Sequence, residues 1–176
     1  MKAAACIGVA VIVFASLLLA FAGKSYFAAK CPTDDAVIAW FHANKKTLDD
    51  LLNMVTADDE KVTYVGQGVV RLRPGTALPE AKIQEYLRKV HETGADSFNY
   101  TRNEGATIML WSDVPSTIAA ITGSYRYKDV AYIQDRNKGR YSERLRPNLN
   151  GLEKSSEDGV WLRHLEGNWY IVYAKH

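Results

Sequence analysis

The chain has 176 residues and a formal net charge of +2, with 22 basic against 20 acidic residues. So even a balance excludes a general electrostatic argument for nucleic acid or for a strongly acidic partner. Only two cysteines are present, Cys6 and Cys31, so no disulfide framework is expected and the domain must hold together by its core.

The N-terminal segment stands apart. Met1-Lys2 is followed from Ala3 to Ala22 by a run with no charge and a single hydroxyl, Ser16. A run of about 20 apolar residues spans a bilayer as a helix. Ala20-Phe21-Ala22 also has the small-x-small pattern that leader peptidases accept. Residues 1–22 therefore read as a signal peptide or an N-terminal membrane anchor. The length of the run favours the anchor, and the Ala-x-Ala favours cleavage. Lys2, Lys24 and Lys30 give little orientation bias. A lipid anchor on Cys31 does not fit, because Lys30 precedes it. Residues 23–33 read as a tether that carries Cys31 as a mobile thiol.

The domain is expected to begin at Asp34 with Thr33 as helix N-cap, and Asp34 and Asp35 suit the positive end of the helix. Val37, Trp40, Phe41, Asn44, Leu48, Leu51, Leu52 and Val55 recur at three and four, one face of a helix to about Met54. The polar run Thr56 to Glu60 ends it. Val62, Tyr64, Val70 and Leu72 alternate around Gly66 and Gly68, giving two short strands or one bent strand. Pro79 starts a second helix, in which Ile83, Tyr86, Leu87 and Val90 share a face and Gly94 is the C-terminal cap.

Strands dominate the rest. Phe98 and Tyr100 alternate, Asn103-Glu104-Gly105 is a turn, and Thr107 to Trp111 is an apolar run of strand length. Ile118–Tyr127 and Val130–Ile133 read as two strands around Lys128-Asp129. Residues 135–159 read as a long polar loop, a length that is often functional or mobile. Val160–Leu165, Glu166-Gly167-Asn168 and Trp169–Tyr173 read as a hairpin. Runs of strands without intervening helices indicate an α+β domain over 34–176, with one or two helices packed on a mainly antiparallel sheet. In architecture this resembles cystatin-like helix-on-sheet folds.

Chemistry-bearing motifs are sparse. His42, His91, His164 and His176 lack metal-ligand spacing, so no metal site is expected. There is no Gly-x-Ser-x-Gly or Ser-x-x-Lys nucleophile motif. Asp49-Asp50 and Asp58-Asp59 are neighbours that diverge on a helix or sit in a turn, not carboxylate dyads. No catalytic residue and no cofactor is expected. Asn99-Tyr100-Thr101 is a glycosylation triplet of a kind that recurs by chance. Two candidate binding features remain. One is the basic loop segment Arg136, Lys138, Arg140, Arg144 and Arg146, with only Glu143 against it, which would meet anionic lipid or an acidic partner. The other is the aromatic set Trp40, Phe41, Tyr86, Trp169, Tyr170 and Tyr173, which would form either core or a ligand or partner surface.

Three segments, Leu51-Leu52 with Met54-Val55, Gly123-Ser124-Tyr125-Arg126-Tyr127, and Arg163 to Tyr170, give the chain a plan that resembles a loose group of small Gram-negative bacterial envelope proteins. The resemblance implies a periplasmic or inner-membrane location and transfers no activity. The leading expectation is a non-enzymatic protein-binding domain, an immunity protein against a secreted toxin being one version. Its partner would be another envelope or secreted protein, with membrane contact through residues 1–22 if uncleaved. The alternative is a small-molecule or lipid-binding domain with a pocket between helix and sheet. An enzyme comes third and would need convergent polar groups there, for instance His164 with a carboxylate.

Overall fold

The computed structural model describes residues 31–112, 125–135, 145–154 and 156–176. Residues 1–22, expected to be a signal or anchor, lie outside that range. Among the described residues no helix is long and apolar enough to cross a membrane.

The first helix, α1, is Asp34–Ala57. Thr33 caps it as expected, its Oγ1 accepting from the Ala36 N–H at 3.3 Å. The three-four spacing buries Val37, Phe41, Leu48, Leu51 and Val55 along one side. The helix stops where Asp59 and Glu60 take positive φ, 54° each. The second helix, α2, is Glu80–Thr93, and Gly94 closes it in the left-handed conformation at φ 69°. Glycine adopts that cap without a Cβ penalty.

Seven strands follow in sequence: β1 Val62–Gly66, β2 Val69–Leu72, β3 Ser97–Thr101, β4 Gly105–Ser112, β5 Arg126–Ile133, β6 Gly159–His164 and β7 Trp169–Lys175. They form one sheet in the order β2-β1-β3-β4-β5-β7-β6, with every pairing antiparallel. The fold is α+β, as the order of elements implies. Gln67 and Gly68 both take positive φ between β1 and β2, the two-residue turn that matches strand twist. Gly105 begins β4 where a Cβ would sit 1.9 Å from the Tyr132 carbonyl oxygen, so no larger residue fits against β5. The last hairpin forms as read, with β6 and β7 joined around Glu166-Gly167-Asn168.

One buried cluster joins both helices to one sheet face. Phe41, Leu48, Tyr86 and Val90 meet Phe98, Ile108, Val130, Trp161, Ile171 and Tyr173 there. Two bulges keep this face apolar. The register shifts between Val62 and Tyr64 on β1 and between Met109 and Trp111 on β4. Each extra residue resets the alternation, so Val62 shares the core with Val65, and Ile108 with Trp111. The opposite face carries a second buried cluster, including Ala131, Leu162, Tyr170, Val172 and Ala174. Strand β7 lies between β5 and β6 and is buried on both faces, which explains its unbroken apolar sequence.

One expectation is corrected, and two segments read as loop and tether are seen in contact with the domain. Lys128-Asp129 does not separate two strands, because β5 runs through it from Arg126 to Ile133. The two side chains take opposite faces, and each is buried. Residues 118–124 of the expected strand lie outside the described residues. The segment 145–154, the described part of the expected polar loop, is docked on the sheet. Leu149 is buried, Leu145 bridges Leu162 of β6, and Leu152–Lys154 forms a 3-10 turn. Cys31 at the end of the expected tether is half-buried and packs against the helix-face core.

Candidate functional site

The aromatic set divides between the two faces of the sheet. Phe41, Tyr86, Trp169 and Tyr173 are buried in the helix-face core, and Phe41 packs on Trp169 with ring centroids 5.6 Å apart. Tyr170 lies in the cluster on the opposite face. Trp40 is half-buried and donates its indole N–H to the Thr93 carbonyl at 2.8 Å, joining α1 to the end of α2. The Tyr86 hydroxyl donates to Asp58 at 3.0 Å; burial, and then that carboxylate, push its pKa far up. These residues fill the fold, and no described cavity is lined by them.

Of the basic segment, Arg136, Lys138, Arg140 and Arg144 lie outside the described residues. Arg146 is exposed, and its backbone N–H donates to the Leu162 carbonyl at 2.7 Å, so the segment's end is held on the β6 edge. Leu145 beside it is 49% exposed, one of two large apolar side chains so open among the described residues.

A buried charge cluster lies behind that segment. Asp34 and Lys128 are fully buried, with Lys128 Nζ 2.7 Å from Asp34 Oδ1. That contact is an ion pair without hydrogen-bond alignment, and Nζ donates instead to the Pro32 carbonyl at 2.7 Å. Asp34 Oδ2 accepts from Arg163 at 2.7 Å and from the Leu149 N–H at 2.8 Å. The Asp34 N–H donates to Asn150 Oδ1 at 2.7 Å. Burial alone pushes the Asp34 carboxyl up. The Leu149 N–H, Lys128 and Arg163 outweigh it and hold the carboxyl below its ordinary range. The cluster ties the start of α1 to β5, β6 and the Leu149-Asn150 turn. Chemically it is a clamp. Sequence reading placed Asp34 in the first helical turn but missed its partners. The signal was a lysine set inside the apolar run of β5.

A second polar hub surrounds Glu60. It accepts from the Tyr100 hydroxyl at 2.8 Å and from Arg102, and Arg73 lies 3.8 Å away. The Arg102 and Tyr100 hydrogen bonds hold Glu60 below its ordinary range. Burial and Glu60 push Tyr100 up to about 12.

Among the described residues, two clefts stand out. The first, about 320 Å³, lies on the sheet face away from the helices. Asn99 and Thr101 of β3, Thr107 and Met109 of β4, and Tyr127 and Asp129 of β5 line it, with Tyr125 and Glu104 beyond the strand ends. Tyr125 and Tyr127 stack at 5.7 Å, and His176 stacks on Tyr125 at 4.9 Å. The second, about 440 Å³, lies between α2 and the β1–β2 turn. Val65, Leu87, Val90 and Ala95 give it an apolar floor, with Gln84 and His91 at the rim.

All four histidines are exposed. His164 rests against Tyr170, with Nε2 3.0 Å from the Gly167 carbonyl. No group of three or more His, Cys, Asp or Glu side chains converges as a metal site among the described residues. Compared with family models, curated proteins and solved structures, the chain matches none.

Proposed function

We propose that this chain is a non-enzymatic protein-binding domain of the bacterial envelope, exported or membrane-anchored by its first two dozen residues. Its target is another envelope or secreted protein, and immunity against a secreted toxin is one version. The observation that carries this reading is the mounting of the basic segment's end. Arg146 is held on the β6 edge through its backbone, while its side chain and that of Leu145 are exposed. Three residues on, Leu149 and Asn150 are tied to Asp34. A fixed base lowers the ordering cost of a contact loop, and Arg is enriched where partner surfaces carry most binding energy.

The test is a photo-cross-linking residue placed at Leu145, with Lys46 on α1 as the comparison site. Cross-linking to one protein from Leu145 alone, abolished by Arg146→Glu, supports the reading. Equal labelling from both sites, or none, refutes it.

A second reading, a small-molecule or lipid-binding domain, is favoured by the cleft between α2 and β1. An apolar floor of Val65, Leu87, Val90 and Ala95 with polar groups around it is the usual build of a ligand pocket. Native mass spectrometry would reveal a retained molecule, which Leu87→Trp would displace.

A further inference from the structure

The cleft on the outer face of β3, β4 and β5 belongs to neither reading. We infer that it is a saccharide-binding site for a ligand of one or two sugar rings.

Aliphatic side chains are few, since among the described lining residues only Met109 and Ala106 carry one, and Ala106 is buried in the helix-face core. A lipid chain would find little aliphatic packing there. Glu104 and Asp129 are among the lining residues, and none of the described ones is basic. From the described lining, phosphate and carboxylate ligands would therefore meet repulsion. What remains is a dense set of hydrogen-bonding groups. Asn99 supplies both donors and acceptors, Thr101 and Thr107 supply hydroxyls, and the two carboxylates accept only. A ligand that satisfies acceptors and donors in alternation over a short distance is one rich in hydroxyls.

The remaining wall is aromatic. Tyr125 and Tyr127 stack in an offset pair and close the end of the cleft at the start of β5. Their faces are turned to each other and to His176, so what they present is ring edge and polar tip. A pyranose ring, with its rim of hydroxyls, suits such an edge. The size agrees as well: about 320 Å³ lies at the small end of ligand pockets, which run from roughly 300 to 1,000 Å³. Apart from Glu104 and Tyr125, the lining residues lie on strands or at their ends, so most are held by the sheet ladder rather than by a loop.

The experiment is saturation-transfer NMR on the full chain with glucose, N-acetylglucosamine and maltose. Sorbitol and trilysine serve as comparators for a flexible polyol and a basic peptide. The expected result is transfer to at least one of the three sugars, lost in Thr107→Trp and at least tenfold weaker in Asn99→Ala. Lys46→Ala on the far side should leave it unchanged. The melting temperature of each variant is measured in parallel, and Thr107→Val provides a milder change if the tryptophan fails to fold. Silence from all three sugars overturns the inference. So does transfer that survives every cleft variant, or transfer to trilysine alone.

Discussion

The two faces of the sheet are built from the same strands and finish in different ways. On the helix side, α1 and α2 meet large side chains such as Phe98, Trp161 and Tyr173, and the result is a closed core. The outer face divides at β5. Toward β7 and β6 it is buried and carries Tyr170 among small or aliphatic residues, Ala131, Leu162, Val172 and Ala174. Toward β4 and β3 it turns polar, and Asn99, Thr101 and Thr107 surround an open cleft. Alternation within one strand thus sends neighbouring residues to different tasks. Lys128 goes to the clamp with Asp34, and Asp129 goes to the cleft. The helix face is where stability resides, and the outer face over β3 and β4 is where recognition has room to act.

The largest test of that division is Phe41→Ala. Phe41 has no exposed surface and packs on Trp169. Truncating a buried aromatic of this kind costs about 3–5 kcal/mol, from lost burial plus the cavity left behind. Urea unfolding should show that loss with little change in the denaturant slope. A loss under about 1 kcal/mol would mean that the helix face collapses around the gap, and that the core is looser than its burial indicates.

The clamp comes next, and its two partners should behave unequally. Asp34→Ala leaves Lys128 buried, with the Pro32 carbonyl as its remaining contact, and should cost about 3 kcal/mol. Lys128→Met removes one charge but leaves Asp34 with Arg163 and the Leu149 N–H, so its cost should be smaller, about 1–2 kcal/mol. Equal losses would show that Arg163, whose side chain is 25% exposed, contributes nothing to holding Asp34.

The same cluster fixes the sign of a pH effect. The Asp34 carboxyl is held below its ordinary value in the folded chain. Its stabilisation is therefore fully present above the unfolded aspartate pKa of about 3.9, and is lost as pH falls through the lower folded value. Thermal melts from neutral pH into that acid range should show wild type and Asp34→Asn converging as pH drops. Curves that stay parallel would sever the clamp from acid unfolding.

How much of this was legible in the sequence follows from physical range. Helix α1 was plain because its cap, first-turn acids and apolar stripe are all local, and the β6–β7 hairpin because its turn separates two apolar runs by three residues. The path of β5 was not, since the pair Lys128-Asp129 reads as a turn until Asp34, 94 positions earlier, supplies the countercharge. The aromatic set stayed open between core and surface for a related reason. Alternation along β7 separates Trp169 and Tyr173 from Tyr170, but which of the two faces the helices cover is decided by the packing and not by composition. The outer cleft draws Asn99, Thr107 and Asp129 from three strands, and only the pairing register brings them together.

The smallest expected effect concerns that cleft. Thr107 lies at mid-strand in β4, opposite Asn99 and Ala131, and is half-buried. Thr107→Val keeps the branched shape that suits a strand and removes only the hydroxyl. If the hydroxyl serves ligands rather than the fold, stability should stay within about 0.5 kcal/mol of wild type. The comparison of faces depends on this small number as much as on the large ones. A loss beyond about 1 kcal/mol would place the hydroxyl in a structural network, and the polar half of the outer face would then serve stability just as the helix face does. An unchanged melting temperature together with weakened sugar binding would separate the two roles within one strand, with Ile108 holding the core and Thr107 facing the ligand.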